Sequence, residues 1–385
     1  MAEEPFDPRP VTRGSNLHEW RIGFLGIDSL YLVVEYPSVD VFERWSSFAL
    51  PSDPRLAEGV VAGDFVLRRG AHGYRLSVWQ GDARLFVTDR VEDNAPGEGM
   101  GVMLQLGPKW LAAHPIWADR SLRRAVREQL VAFGLADLSV PIRLNRLDVT
   151  VDLLGCDVAG FSVDDWLYGW VGYASQKQFF VSSRGRLETI SVGSSEGVVR
   201  FKVYDKVAEA VSRGTLGFWS AVWGVGEDLP PVARFEWSVR PYEGQFEGLR
   251  YLDDLTFERF CGVLDYVLTR WGALRVPGED GNRSRWALHP LWARLTALVR
   301  EWMFEPGRRV RRDYAATPDL SDRYLSLVVG LLAGAAVRVG LAAGAAGPEN
   351  LAGVLAALDE RIGLHEVDER ARKRWAVAAR LAGSS

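Results

Sequence analysis

Three segments of the chain alternate apolar and polar residues with a period of two, and they restrict the possible folds more than any other feature. The segments span residues 142–155, 198–206 and 232–240. Successive side chains of a β-strand point to opposite faces of its sheet, so each segment has an apolar face and a polar face. The apolar positions are Leu147, Val149, Val151 and Leu153; Val199, Phe201 and Val203; and Ala233, Phe235, Trp237 and Val239. We predict that the three segments are strands of one antiparallel sheet.

The polar faces of the same three segments combine charges of both signs with one tyrosine. Together they hold six cations, three carboxylates and a phenol. Cations bind phosphates, carboxylates hold hard ions such as Mg²⁺ or Mn²⁺, and a tyrosine can act as a nucleophile. The polar positions are Arg146, Asp148, Thr150 and Asp152; Arg200, Lys202, Tyr204 and Lys206; and Arg234, Glu236, Ser238 and Arg240. The predicted surface therefore has the groups that phosphodiester chemistry needs.

Strand geometry limits how these groups can cooperate. Residues four apart on one strand are separated by roughly 13 Å, so Asp148 and Asp152 cannot share one metal ion on a straight strand. Directly opposed residues on neighbouring strands come within about 5 Å, which favours Glu236 paired with one of the two aspartates. Asp28 is a further carboxylate that could join them from the N-terminal half.

A tyrosine nucleophile requires a way to lose its proton. A free tyrosine ionises near pH 10, so we expect nearby positive charge to favour the phenolate of Tyr204. Lys202, Lys206 and Arg200 are the cations that could supply this charge. Glu209 could instead serve as a general base, or only cap the helix that follows.

A purely structural surface has the same alternation. The outer face of a half-exposed antiparallel sheet is also polar, with charges paired across strands. On the strand pattern alone, this reading and the chemical one are equally compatible with the sequence.

The rest of the chain predicts an α+β fold. Strand patterns followed by a helical pattern occur twice, over residues 20–140 and 141–275, which indicates two related lobes with antiparallel sheets flanked by helices. Residues 1–19 form a polar tail, and residues 286–385 have helical patterns only. Aromatic residues at helical spacing, Trp166, Tyr168, Trp170 and Tyr173, are predicted mainly as core residues rather than as stacking platforms for bases.

Composition excludes several classes of function. The two cysteines lie far apart and the five histidines are scattered, so neither a zinc site nor a disulfide framework is predicted. The polar N-terminal segment does not resemble a signal peptide, and no clean membrane span is present, so we expect a cytoplasmic protein without a membrane partner. The net charge of -4 means that any nucleic-acid site must be a local patch. One such patch is the arginine cluster Arg308, Arg309, Arg311 and Arg312, which could equally be a solvated loop.

The same three segments resemble the motifs of the replication initiation factor family, which comprises rolling-circle plasmid initiators, some phage replication proteins and a class of conjugative relaxases. The resemblance covers about residues 20–270. The motifs appear in the family's order as RLDVTVD at 146–152, Gly193-Ser194, Arg200, Tyr204-Asp205-Lys206, Glu209, and Arg234-Phe235-Glu236.

The resemblance implies a metal-dependent enzyme that nicks one DNA strand. Tyr204 would be the nucleophile, assisted by Lys206 and Arg200, and Asp148, Asp152 and Glu236 would bind Mg²⁺ or Mn²⁺. The other cations, Arg146, Lys202, Arg234 and Arg240, would contact DNA. The expected partner is a single-stranded or melted origin or nick site, with a helicase or coupling protein and a homodimer as further expectations. Two alternatives stay open: a non-catalytic origin- or operator-binding protein, and a metal phosphoesterase that activates water.

Overall fold

The computed structural model describes residues 17–34, 38–89, 101–135, 139–183, 185–226, 228–241, 246 and 248–303. These residues all fall within one compact unit. Within them, no helix has the length and apolar content needed to cross a membrane. The predicted arginine cluster at 308–312 and most of the predicted helical region 286–385 lie outside the described residues.

The described part of the chain contains thirteen strands and eight α-helices. The strands are β1 (Arg21–Val34), β2 (Val60–Ala62), β3 (Phe65–Arg69), β4 (Leu76–Gln80), β5 (Ala83–Val87), β6 (Val102–Leu106), β7 (Ile142–Leu154), β8 (Trp170–Gly172), β9 (Lys177–Val181), β10 (Leu187–Val192), β11 (Val199–Asp205), β12 (Val232–Val239) and β13 (Gly272–Leu274). The helices are α1 (Ser38–Ser46), α2 (Pro108–Ala113), α3 (Asp119–Ala132), α4 (Val163–Gly169), α5 (Lys206–Ser212), α6 (Leu216–Trp223), α7 (Phe257–Tyr266) and α8 (Pro290–Met303). The predicted mixed α+β class is confirmed.

Eleven of these strands form a single antiparallel sheet in the order β2-β3-β4-β5-β6-β1-β7-β12-β11-β10-β9. The two halves of the sequence join where β1 pairs with β7, from Arg21 opposite Leu154 to Val34 opposite Ile142. The sheets of the two predicted lobes are therefore continuous. This junction places β7, β12 and β11 side by side, as the alternating pattern predicts.

The apolar face of the central strands packs against aromatic side chains of helix α4 and strand β8. Phe201 of β11 stacks against Trp166 at 5.7 Å and Trp170 at 5.6 Å between ring centroids. Both tryptophans are buried, as predicted for core residues, whereas Tyr168 and Tyr173 are exposed. The predicted cap of α4 is also confirmed, because Ser162 Oγ accepts a hydrogen bond from the amide of Asp165 at 3.3 Å.

The end of β11 leads directly into a helix. Asp205 closes the strand and caps α5, with its Oδ1 accepting a hydrogen bond from the amide of Ala208 at 2.9 Å. Tyr204 is thus the penultimate residue of a strand whose end is fixed by a helix cap.

Candidate active site

The predicted polar residues form three rows across β11, β12 and β7. Cross-strand pairs share one face of a sheet, so each row brings side chains from the three strands together. The rows are Tyr204, Arg234 and Asp152; Lys202, Glu236 and Thr150; and Arg200, Ser238 and Asp148. Nine of the twelve predicted polar positions therefore lie on one surface.

The register corrects one expectation. Glu236 lies opposite Thr150 and not opposite an aspartate. Asp148 and Asp152 are its two diagonal neighbours, and diagonal pairs are separated by about 7–8 Å. The expectation that Glu236 directly opposes one of the aspartates is therefore wrong.

One end of this surface is buried beneath α6. Asp152 and Arg234 are both fully inaccessible to solvent. Asp152 accepts hydrogen bonds from Arg234 Nε at 2.6 Å and Nη2 at 2.7 Å. Its Oδ2 also accepts a hydrogen bond from Trp223 Nε1 at 2.8 Å. The aspartate therefore has three donors, which satisfy its charge without a metal ion.

Arg234 connects the two halves of the sheet. It also contacts Asp28 of β1, which lies at an irregularity in the pairing of β1 with β7. The guanidinium packs over the ring of Trp219, with its Cζ 4.0 Å from the centroid. Burial opposes the charge, but Asp152 and Asp28 outweigh it and hold the pKa of Arg234 well above its ordinary value. Contact of Arg234 with DNA, or of Asp152 with a metal ion, would require this cluster to open.

The predicted nucleophile is hydrogen-bonded to a carboxylate. The hydroxyl of half-buried Tyr204 donates to Glu236 Oε2 at 3.0 Å. The other oxygen of Glu236 lies 3.8 Å from Lys202 Nζ. Burial raises the pKa of Glu236 to about 7, with further contributions from the negative charges of Asp148 and Asp28. At neutral pH, Glu236 can therefore both release and accept a proton.

Burial outweighs the nearby positive charge at Tyr204, so the phenolate is not favoured, contrary to prediction. Burial, followed by the negative charge of Glu236, raises the pKa of Tyr204 well above its ordinary value, and the opposing effect of Arg234 is smaller. Lys206 Nζ instead donates to Glu209 Oε2 at 2.5 Å. Arg200 Nε donates to Ser191 Oγ at 3.0 Å on the neighbouring strand. The phenol is thus the stable form, and Glu236 is the group placed to take its proton.

Asp148 has a different environment from Asp152. Arg146 donates to both of its carboxylate oxygens, at 2.7 Å and 2.8 Å. Burial nevertheless raises the pKa of Asp148. The guanidinium of Arg146 is partly exposed, and its Nη2 also donates to Ser238 Oγ at 3.0 Å. This pair borders the accessible part of the surface.

Two carboxylates of the site fit a divalent ion. The negative charge of Asp148 raises the pKa of Glu236, and a cation between the two carboxylates would relieve that repulsion. Mg²⁺ in phosphate-handling sites is commonly held by one or two carboxylates together with substrate phosphates. Within the described ranges, no three His, Cys, Asp or Glu side chains are grouped to hold a metal ion by themselves. The donor set fits an ion that is completed by the substrate.

Arg240, predicted to contact DNA, and Lys206, predicted to assist the nucleophile, both contact other parts of the protein. Arg240 donates to the carbonyl oxygens of Gly197 at 2.9 Å and Ser195 at 2.8 Å. It thereby holds the turn between β10 and β11. Lys206 is buried, with its Nζ 4.6 Å from the ring centroid of Trp219. Glu209 bonds Lys206 and Arg213 and makes no described contact with the phenol.

The sequence prediction missed the helix that covers the site. Trp219 and Trp223 of α6 contact Arg234 and Asp152, respectively. The sequence does contain evidence for this helix. Its two tryptophans are four residues apart and so lie on one helix face, and Gly224 ends the helix in the left-handed conformation that favours glycine.

Sequence and structure comparisons with known proteins give different results. No protein-family model matches the sequence, and no curated protein matches it. Among solved structures, the chain is similar to a rolling circle replication initiator protein from Geobacillus stearothermophilus, with a TM-score of 0.42 and 15% sequence identity. The similarity covers 73% of this chain and 96% of that chain.

Proposed function

We propose that this protein is a rolling-circle replication initiator or relaxase, which nicks one DNA strand with Tyr204 as its nucleophile. The observation that carries the proposal is the 3.0 Å hydrogen bond from the Tyr204 hydroxyl to Glu236 Oε2. A nucleophile in contact with a general base is the arrangement that covalent catalysis requires. The motifs that resemble the replication initiation factor family assign the same tyrosine.

The reaction is a transesterification. Tyr204 Oη attacks the scissile phosphorus while its proton passes to the Glu236 carboxylate. The bond from phosphorus to the 3′ oxygen breaks, and that oxygen takes up a proton from solvent. The products are a 5′-phosphotyrosine link and a free 3′-hydroxyl. Religation reverses these steps, with Glu236 returning the proton to the phenol.

The environment of Glu236 suits this role. A general base works best when its pKa lies near the working pH, and the pKa of Glu236 is raised to about 7 by burial and by Asp148 and Asp28. The high pKa of Tyr204 means that the proton must leave as the oxygen attacks. Lys202 and Arg146 flank this pair and are partly exposed, so they can hold the phosphate.

Asp148 is the residue that would hold Mg²⁺ or Mn²⁺ while Glu236 acts as the base, because a cation bound to Glu236 would lower its pKa and weaken it as a base. In the absence of DNA, Glu236 would be the second ligand. When bound, such an ion supplies Lewis-acid polarisation of a phosphoryl oxygen. The protein's own groups bind the phosphate, orient the phenol and carry its proton.

The test is covalent capture of DNA. Wild-type protein is incubated with a randomised pool of single-stranded oligonucleotides and Mn²⁺, and adducts are resolved on a denaturing gel. We expect an adduct from wild type and none from Tyr204→Phe. Tyr31→Phe is the matched control, because Tyr31 also lies on this surface, opposite Arg146 on β7, and should leave the adduct intact.

Other outcomes point to other classes of protein. Binding without cleavage would support a non-catalytic origin- or operator-binding protein. Cleavage without an adduct, unaffected by Tyr204→Phe, would support a phosphoesterase that activates water. Adjacent genes for a helicase or for a coupling protein would distinguish replication from conjugative transfer, and the cytoplasmic location and the homodimer stay predictions.

A further inference from the structure

An exposed aromatic side chain lies in the same row as the proposed nucleophile. Thr189 of β10 is paired with Tyr204 on one side and with Phe180 of β9 on the other. Phe180 is 52% exposed, whereas its neighbour Phe179 packs against the core from the opposite face. The ring of Phe180 therefore shares the polar face of the sheet with Tyr204.

The separation suits a short piece of single-stranded DNA. Neighbouring strands lie about 4.8 Å apart, so Phe180 and Tyr204, two strands apart, are separated by roughly 10 Å. A DNA strand advances about 3.4 Å per nucleotide in B-form. The interval corresponds to about three stacked nucleotides, or fewer in an extended strand.

The surface between these two side chains has the charge that DNA needs. The polar-face positions that are paired across β9, β10 and β11 carry two cations and several neutral groups: Gln178, Phe180, Thr189, Ser191, Arg200, Lys202 and Tyr204. The exposed carboxylate of Glu188 precedes Thr189 on β10. Arg200 Nε donates a hydrogen bond to Ser191 Oγ, a neutral partner. In a chain of net charge -4, this part of the sheet can attract phosphates locally.

We propose that Phe180 is a stacking platform for an unpaired base of the strand that Tyr204 nicks, with Arg200 and Lys202 contacting the phosphates between them. This inference rests on the proposed function, because it identifies single-stranded DNA as the ligand of that surface. Every base has a flat aromatic face, so the contact tolerates different sequences. It positions the strand and leaves recognition of the nick site to other groups.

The edge position of β9 allows a competing occupant. An exposed edge strand with apolar side chains can pair with another protein chain. The two cations that β11 places on the same face, Arg200 and Lys202, favour a polyanion over a second copy of this chain, whose net charge is -4.

The test compares two phenylalanines of equal exposure. Phe180 and Phe48 are each 52% exposed, and Phe48 follows α1, with its ring 5.9 Å from Trp45. Fluorescence anisotropy measures the binding of labelled (dT)20 and of an abasic strand of the same length to Phe180→Ala, Phe48→Ala and Phe180→Trp. We expect Phe180→Ala to bind (dT)20 about 5- to 150-fold more weakly, as base stacking on an aromatic ring predicts. Binding of the abasic strand should be unchanged, and the other two variants should resemble wild type.

Three results would overturn the inference. In the first, Phe180→Ala binds (dT)20 as tightly as wild type. In the second, it loses affinity equally for (dT)20 and for the abasic oligonucleotide. In the third, it changes only the oligomeric state measured by sedimentation. The assay needs no cleavage and no metal ion. A protein that forms no Tyr204 adduct but loses base-dependent binding in Phe180→Ala would therefore refute the proposed nicking activity while supporting the DNA surface.

Discussion

The contribution of the buried ion pair between Arg234 and Asp152 to the stability of the protein can be tested quantitatively. Arg234→Met removes the two guanidinium donors at 2.6 Å and 2.7 Å and leaves the Asp152 carboxylate with Trp223 as its remaining donor. Both side chains are fully buried. Breaking one side of such a pair costs about 3–5 kcal/mol, because a charge stays buried without compensation. This is a large share of the roughly 5–15 kcal/mol that stabilises a typical protein.

The assay is urea unfolding followed by tryptophan fluorescence. Arg234→Met also removes the partner of Asp28, but that side chain is 16% exposed and keeps access to water. Adding Asp152→Asn removes the charge that is fully buried and should recover most of the loss, to within about 2 kcal/mol of wild type. Arg55→Ala is the control, because Arg55 forms a 2.6 Å ion pair with Asp53 while its side chain is 70% exposed. We expect it to cost less than about 1 kcal/mol. An equal cost for Arg234→Met and Arg55→Ala, or no recovery in the double variant, would refute this reasoning.

Three further predictions concern the same surface. The unfolded chain releases the Glu236 proton near its ordinary pKa of 4.5, whereas the folded protein keeps this proton up to about pH 7. The free energy of unfolding therefore falls as pH rises between these two values, by at most about 3 kcal/mol. Glu236→Gln should therefore lose less stability than wild type between about pH 5 and about pH 8 in urea unfolding, and an equal loss would contradict the assignment. Trp223→Phe removes the 2.8 Å hydrogen bond to buried Asp152 and should cost about 1–3 kcal/mol; Trp79→Phe, whose indole donates to the neutral Ser77, should cost less. Mn²⁺ binding can be measured by paramagnetic resonance of the free ion. The affinity should fall by about tenfold or more in Asp148→Asn and in Glu236→Gln but not in the exposed control Asp64→Asn. Equal affinity in the three variants would exclude the proposed ligands.

The strands and their faces could be predicted because they depend on local pattern. The two-residue alternation in β7, β11 and β12 is visible in the sequence, and the helix cap at Ser162 is a short-range feature. The register could not be predicted in the same way. The pairing of Glu236 with Thr150 connects residues that are far apart in the sequence. A shift of the pairing by one residue would move every side chain of a strand to the other face of the sheet.

The electrostatics of the site depend on tertiary packing. Counting charges predicted a lower pKa for Tyr204, but burial outweighs the cations and raises it. Likewise, nothing in the alternation of residues 232–240 distinguishes buried Arg234 from partly exposed Arg240, because the difference comes from α6 packing over one end of the sheet. The residue types of the site could therefore be predicted from the sequence. Whether each side chain is accessible to DNA or to a metal ion could not.

The central claim is that Tyr204 becomes covalently attached to DNA. Mass spectrometry of the nuclease-trimmed adduct, after proteolysis, measures this directly. We expect a residual nucleotide joined through its 5′ phosphate to the peptide that contains Tyr204. Attachment to another residue, such as Tyr31, or no attachment under conditions in which the DNA is cleaved, would contradict it.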